Sequence, residues 1–103
     1  KKQFDGIFSA SALGAMGALQ VCKQNGISVP DQVSIVWFSN EVFSSFSDPS
    51  LTSVEQHSLQ MGNAAAEIFF DQLQARIENQ KFTPKKIVLT PTLIIRESSV
   101  RKK

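Results

Sequence analysis

The run Val33-Ser34-Ile35-Val36-Trp37-Phe38 (VSIVWF) narrows the possible folds more than any other stretch of this sequence. It is β-branched, aromatic and almost unbroken by polar groups. Such a run reads as the central strand of a parallel sheet, buried by its neighbours. Parallel strands need a long crossover, usually a helix. The segment upstream supplies one. Ile7-Phe8, flanked by Phe4 and Ala10, reads as a short buried strand. Ser11 offers a helix N-cap. Residues 12 to about 25 form a helix, ended by Asn25-Gly26. Strand, helix, strand is a βαβ unit with a right-handed crossover.

Downstream the alternation continues. Val29-Pro30-Asp31 is a turn. Residues 41–47 can make one or two helical turns, which Pro49 ends, and Leu51 to Glu55 reads as another strand. Leu59, Gly62, Ala66, Phe69, Phe70, Leu73 and Ile77 keep a three-and-four spacing, which predicts a long helix from about Ser58 to Asn79. Gly62 and Ala64 to Ala66 thin its first turns, so this end can lie close to a sheet. Pro84 bars continuation. Ile87 to Leu89 and Leu93 to Arg96 read as two short strands divided by Pro91. The fold class is alternating α/β with a parallel sheet.

The chain has 103 residues, one domain at most, with a thin core. Apolar residues are 42% and charged residues 19%, a globular balance. A net charge of +2 is too weak to argue for nucleic acid by itself. Most of it sits in Lys1-Lys2, Lys85-Lys86 and Arg101-Lys102-Lys103, which read as solvated clusters. The single cysteine, Cys22, excludes an internal disulfide. Its neighbours Ala18, Leu19 and Val21 make it a buried structural thiol, compatible with a cytoplasmic setting. No apolar run approaches the ~20 residues of a membrane span, and no signal peptide is visible. With no initiator Met, the sequence reads as a piece of something longer.

The chemistry is sparse. There is no GxSxG, GxGxxG, P-loop, CxxC or HExxH. His57 is the only histidine, placed where a polar residue helps a helix begin. Asp5, Asp31, Asp48 and Asp71 are scattered. No catalytic residue, metal or cofactor is expected. What remains is geometry: in open α/β sheets, ligands sit beyond the carboxyl ends of the strands. Ser9-Ala10-Ser11-Ala12 follows the first strand, and Trp37-Phe38-Ser39-Asn40 follows the second. Ser11, Ser39 and Asn40, with Trp37 close by, are therefore the candidate ligand residues. Hydroxyls, one amide and aromatic faces suit a neutral sugar or nucleoside-like small molecule. The competing readings make Ser11 only a cap and Trp37 only core. The helix over 12–25 is also wider in its apolar stripe than one face needs, so the side around Met16 and Leu19 needs a second partner.

Several segments carry a resemblance together: Asp-x-Ile-Phe, the Ala-Met-Gly-Ala-Leu helix, Val-Pro-Asp-x-Val-Ser-Ile-Val, the Pro-Ser-Leu-Thr-Ser-Val crossover, and the closing Leu-Ile-Ile-Arg-Glu-Ser. In this order and spacing they resemble the effector-binding domain of the LacI/GalR family of bacterial transcriptional regulators, which has the periplasmic-binding-protein-like type I fold. The resemblance covers nearly the whole chain. It implies a C-terminal fragment of that domain, with about 1–49 and 84–98 in the C-terminal subdomain and about 50–83 an excursion into the N-terminal one. It implies a small-molecule effector held between the subdomains, and a homodimer with Met16, Leu19, Phe43 and Phe46 at its seam. Operator DNA would be bound only through a helix-turn-helix domain outside this sequence.

Three positions depart from the family pattern. Ser11-Ala12 stands where Asn-Asp or Ser-Asp is usual, Trp37 where Gly is usual, and Ser39 where Asp is usual. Losing both carboxylates removes charge-assisted hydrogen bonds, each roughly twice as strong as neutral ones. A ligand-sensing regulator fragment is the expected function. A periplasmic sugar-binding receptor is the alternative, and an enzyme on the same scaffold is more distant.

Overall fold

A computed structural model describes residues 4–101. The VSIVWF run forms β2 (Ser34–Phe38). Before it come β1 (Gly6–Ser9) and α1 (Ala12–Gln24), and after it β3 (Thr52–Glu55), α2 (Ser58–Ile77) and β4 (Thr92–Ile94). Short 3-10 turns occupy Val42–Ser45 and Glu97–Ser99. The chain divides into two compact units. Unit 1 runs to Glu55 and resumes at Pro91, and unit 2 is Gln56–Thr90.

The sheet lies in unit 1, in the order β1-β2-β3-β4. β2 is central as its composition demands, parallel to β1 with Ile7 opposite Ile35 and Ser9 opposite Trp37. β3 is parallel to β2, and β4 closes the sheet antiparallel to β3. Helix α1 is capped at both ends by its own sequence. Ser11 Oγ accepts from the Gly14 N–H at 3.1 Å. At the other end the Ile27 N–H reaches the Cys22 carbonyl at 2.9 Å and the Gly26 N–H the Lys23 carbonyl at 3.3 Å. That hydrogen-bond pair needs a left-handed residue between them, and Gly26 supplies it at φ +66°.

The core forms where α1 meets the sheet. Ala15, Leu19 and Cys22, spaced four and three apart, pack with Ile35, Trp37 and Leu51. Trp37 stacks on Phe43 with ring centroids 5.0 Å apart. Leu19, expected at a seam, is a core residue of its own chain at 3% exposed, and it also lines the outer depression of α1 beside Met16. Its place four residues after Ala15 turns it toward the sheet. Among the described residues of unit 1, only one sheet face has an α-helix over it. Ile35 and Trp37 are fully buried, while Val36 is half-buried and Phe38 is at the surface. The alternation of side chains along a strand produces this difference.

Three further boundaries differ from expectation. The strand expected over Leu51 to Glu55 begins one residue later, and that expected over Leu93 to Arg96 is shifted to Thr92–Ile94. Ile87 to Leu89 makes no strand: unit 2 offers it no strand to pair with. These residues instead flank α2, where Met61, Ala64, Ala65 and Ile68 line a groove of about 290 Å³ with Ile87 and Leu89. Unit 2 is bounded where β3 is hydrogen-bonded into the sheet of unit 1, and it keeps Ile87 and Leu89 beside α2.

No described residue of α2 is buried. Leu59, Phe69, Phe70, Leu73 and Ile77 are all exposed. The helix still has a defined end: the Gln80 N–H reaches the Ala75 carbonyl at 2.8 Å across Asn79, which is left-handed at φ 56°. No helix among the described residues is long and apolar enough to cross a membrane.

The C-terminal segment is tied back into unit 1. Ser98 is fully buried; its hydroxyl donates to the Ile35 carbonyl and accepts from the Thr52 N–H at 2.8 Å. Arg101 donates to the Pro30 carbonyl at 2.9 Å and forms an ion pair with Asp5 at 3.0 Å. The hydrogen bond and the charge of Arg101 hold the Asp5 carboxyl below its ordinary value. A carboxylate with a lowered folded pKa adds stability above its unfolded pKa and loses it as the pH falls through the folded one. In melting curves across pH, Asp5→Asn should therefore lie below the parent near neutrality. The gap should close in the acid range below the ordinary carboxylate value of about 4.

Candidate functional site

Ser9 and Trp37 are opposite one another at the last register position of β1 and β2. The two following segments therefore leave the sheet at the same carboxyl edge, where an α/β sheet offers its ligand crevice. On the β1 side, Ser9 Oγ donates to the Ser11 carbonyl at 2.8 Å and accepts from the Ser11 N–H. Ser11 Oγ in turn caps α1. This tight turn requires Gly14: a Cβ there would meet Ser9 Oγ at 2.5 Å and Ser11 Oγ at 3.0 Å. Ser11 thus fills the cap role, and its hydroxyl hydrogen is left for another acceptor.

On the β2 side, the Ser39 N–H donates to the Val54 carbonyl at 3.0 Å, extending the pairing with β3 by one residue. Ser39 has φ 83°, in the left-handed region that a non-glycine residue occupies only at a cost. Strain of this kind gathers at functional sites. Asn40 is half-buried. Its Nδ2 donates to Glu55 Oε1 at 3.1 Å, and its Oδ1 accepts from Arg96 Nη2 at 3.0 Å.

Trp37 is not on the edge. It is fully buried on the α1 side, against Phe43, so the ligand role expected of it gives way to a core role. Its indole is large and apolar, and the interior face of β2 is where it buries most area. Of the residues assigned to a seam, Met16 is 39% and Phe46 is 79% exposed, whereas Phe43 is half-buried under Trp37. Arg96 and Glu55 were not singled out from the sequence. The only signal was the lone Arg in Leu-Ile-Ile-Arg-Glu-Ser, and its partners lie far away along the chain.

Residues 2–99 match the periplasmic binding protein-like domain family. The chain belongs to this family. Within it, the similar proteins are LacI/GalR-type regulators. The chain is 35% identical over 95 residues to the HTH-type transcriptional regulator GalR of Lacticaseibacillus casei, covering 92% of this chain and 28% of that one. Among solved structures, the transcriptional regulator CelR–cellobiose complex matches with a TM-score of 0.79 at 33% identity, over 92% of this chain and 28% of that one. A LacI family transcriptional regulator from Silicibacter pomeroyi matches at 0.75 and 33%, over 92% and 32%. This periplasmic binding protein-like chain spans little more than a quarter of the length of the curated relatives it matches.

The left-handed Ser39 yields a direct expectation. Ser39→Gly should raise stability by on the order of 1 kcal/mol in urea unfolding, because glycine adopts that conformation without steric cost. A variant no more stable than the parent would show that Ser39 carries no strain.

Proposed function

We propose that this chain is the effector-sensing and dimerising part of a LacI/GalR-type transcriptional regulator, with a neutral sugar or nucleoside-like effector bound at Ser11, Ser39 and Asn40. The observation that carries this reading is the shared carboxyl edge of β1 and β2, where Ser9 and Trp37 stand opposite each other and the serine-rich and Ser39-Asn40 segments depart. The names of its relatives supply the class of function, and the cellobiose complex supplies a ligand to try. In this reading the chain works in the cytoplasm and is not an enzyme. It needs no metal or cofactor. Operator DNA is contacted by a separate DNA-reading domain, and effector binding changes the operator affinity through a coupling of about 1–3 kcal/mol. A transport receptor on the same fold is the weaker reading, since the relatives named above are regulators.

Dimerisation rests on the outer side of α1. Leu13, Met16, Gln20 and Lys23 recur at helical spacing and line a surface depression with Gly17. Leu13 is 85% and Met16 39% exposed, which leaves apolar surface on this side. A two-fold interface would bring Met16 near its own copy, with Phe46 flanking it.

Titrating the 15N-labelled chain with cellobiose, other neutral disaccharides and nucleosides should move the backbone signals of Ser11, Ser39 and Asn40, with millimolar affinity. A panel that moves none of the three would sink the ligand assignment. Independently, Met16→Asp should weaken self-association in sedimentation by at least tenfold, because it places an unpaired charge in an apolar seam. A parent chain that sediments as a monomer would rule the seam out.

A further inference from the structure

The polar cluster at the end of β3 is more organised than an effector edge requires. Arg96 Nη1 donates to the Leu51 carbonyl at 2.8 Å and to Ser53 Oγ at 3.1 Å, and the Arg96 backbone N–H donates to Thr52 Oγ1 at 2.8 Å. The guanidinium is therefore fixed on β3 before its Nη2 reaches Asn40. Glu55 approaches Asn40 from the other end of the amide. Glu55 is the last residue of unit 1 before the chain leaves it, and Arg96 follows the return at Pro91.

The two contacts on Asn40 are opposite in kind. Turning the amide over would set its carbonyl against a carboxylate and its NH2 against a guanidinium, so both hydrogen bonds would be lost. The orientation is fixed by charge as well as by distance. A primary amide has two N–H donors and two acceptor lone pairs. The cluster uses one of each and leaves one of each. A hydroxyl, which both donates and accepts, complements that remainder. Arg96 and Glu55 also offset one another, so the cluster offers no net attraction to an ion.

We propose that Arg96 and Glu55 are positioning residues for a neutral hydroxyl-bearing ligand, clamping the Asn40 amide so that one donor and one acceptor are presented to a ligand hydroxyl. This rests on the assignment of Asn40 to the effector given above. It adds that the Asn40 amide is held by the last residue of β3, where the chain leaves unit 1, and by Arg96 in the segment after β4.

The test follows the Asn40 side-chain NH2 signals of the 15N-labelled chain, with cellobiose as the probe. In Glu55→Ala these signals should move toward those of a solvated amide, and cellobiose should bind about tenfold more weakly. Glu55→Gln should restore both, because its carbonyl oxygen accepts at the same reach. Arg96→Lys should behave like Glu55→Ala. If that variant fails to fold, the Glu55 pair carries the test, with an unchanged Trp37 emission maximum showing an intact core. Cellobiose affinities that agree within twofold between parent and Glu55→Ala overturn this proposal and leave the effector reading standing. A parent that responds to no member of the sugar and nucleoside panel, while its Asn40 signals still move in Glu55→Ala, overturns the effector reading and this proposal together.

Discussion

Unit 1 depends on one contact: the α1 stripe of Ala15, Leu19 and Cys22 against Ile35, Trp37 and Leu51. Burying a large apolar side chain contributes about 1.5–3 kcal/mol, and this small sheet has few such groups. The contact also fixes the site. With α1 seated on β2, its capped N-terminus and the end of β2 must emerge at the same edge. Trp37 strengthens the contact by stacking on Phe43, although its indole N–H is buried without a partner among the described residues. That orphan costs on the order of 1–3 kcal/mol, which the area buried by the ring must outweigh.

A second level of order comes from the chain's return. Ser98 joins β2 to β3 through one buried hydroxyl, and Thr52 Oγ1 accepts from the Arg96 N–H while donating to the Arg96 carbonyl. These polar links replace the apolar packing that a strand as short as β4 cannot supply. Buried hydrogen bonds add modest net stability but are costly to leave half-made, so they fix one arrangement. The Arg96–Asn40–Glu55 cluster continues the same logic out to the candidate site.

The two units contrast in energetics. Unit 1 has a buried core. Unit 2 has a helix with a defined C-terminal end, no side-chain cap at its N-terminus and no buried residue. Its large side chains Leu59, Phe69, Phe70 and Ile77 keep most of their area in water, apart from an edge-to-face contact between Phe69 and Phe70 at 5.4 Å. Its periodicity is strong enough to specify a helix. Periodicity states only that a face is apolar and says nothing of what covers it.

By itself the sequence determined the local elements and their caps. The almost unbroken VSIVWF run read as a central strand, Ser11 and Asn25-Gly26 marked the bounds of a helix, and the ordered motifs marked the family. These signals are short in range, carried by neighbouring residues and by spacings of two and 3.6. Tertiary structure decided which face of each element is inside. It turned Leu19 and Trp37 into the core, denied Ile87 to Leu89 a strand partner, and drew β3 into the sheet of unit 1. It also brought Arg96 and Glu55 to Asn40 across 56 and 15 residues of chain. No local pattern encodes such pairings, because they depend on where the ends of distant strands meet.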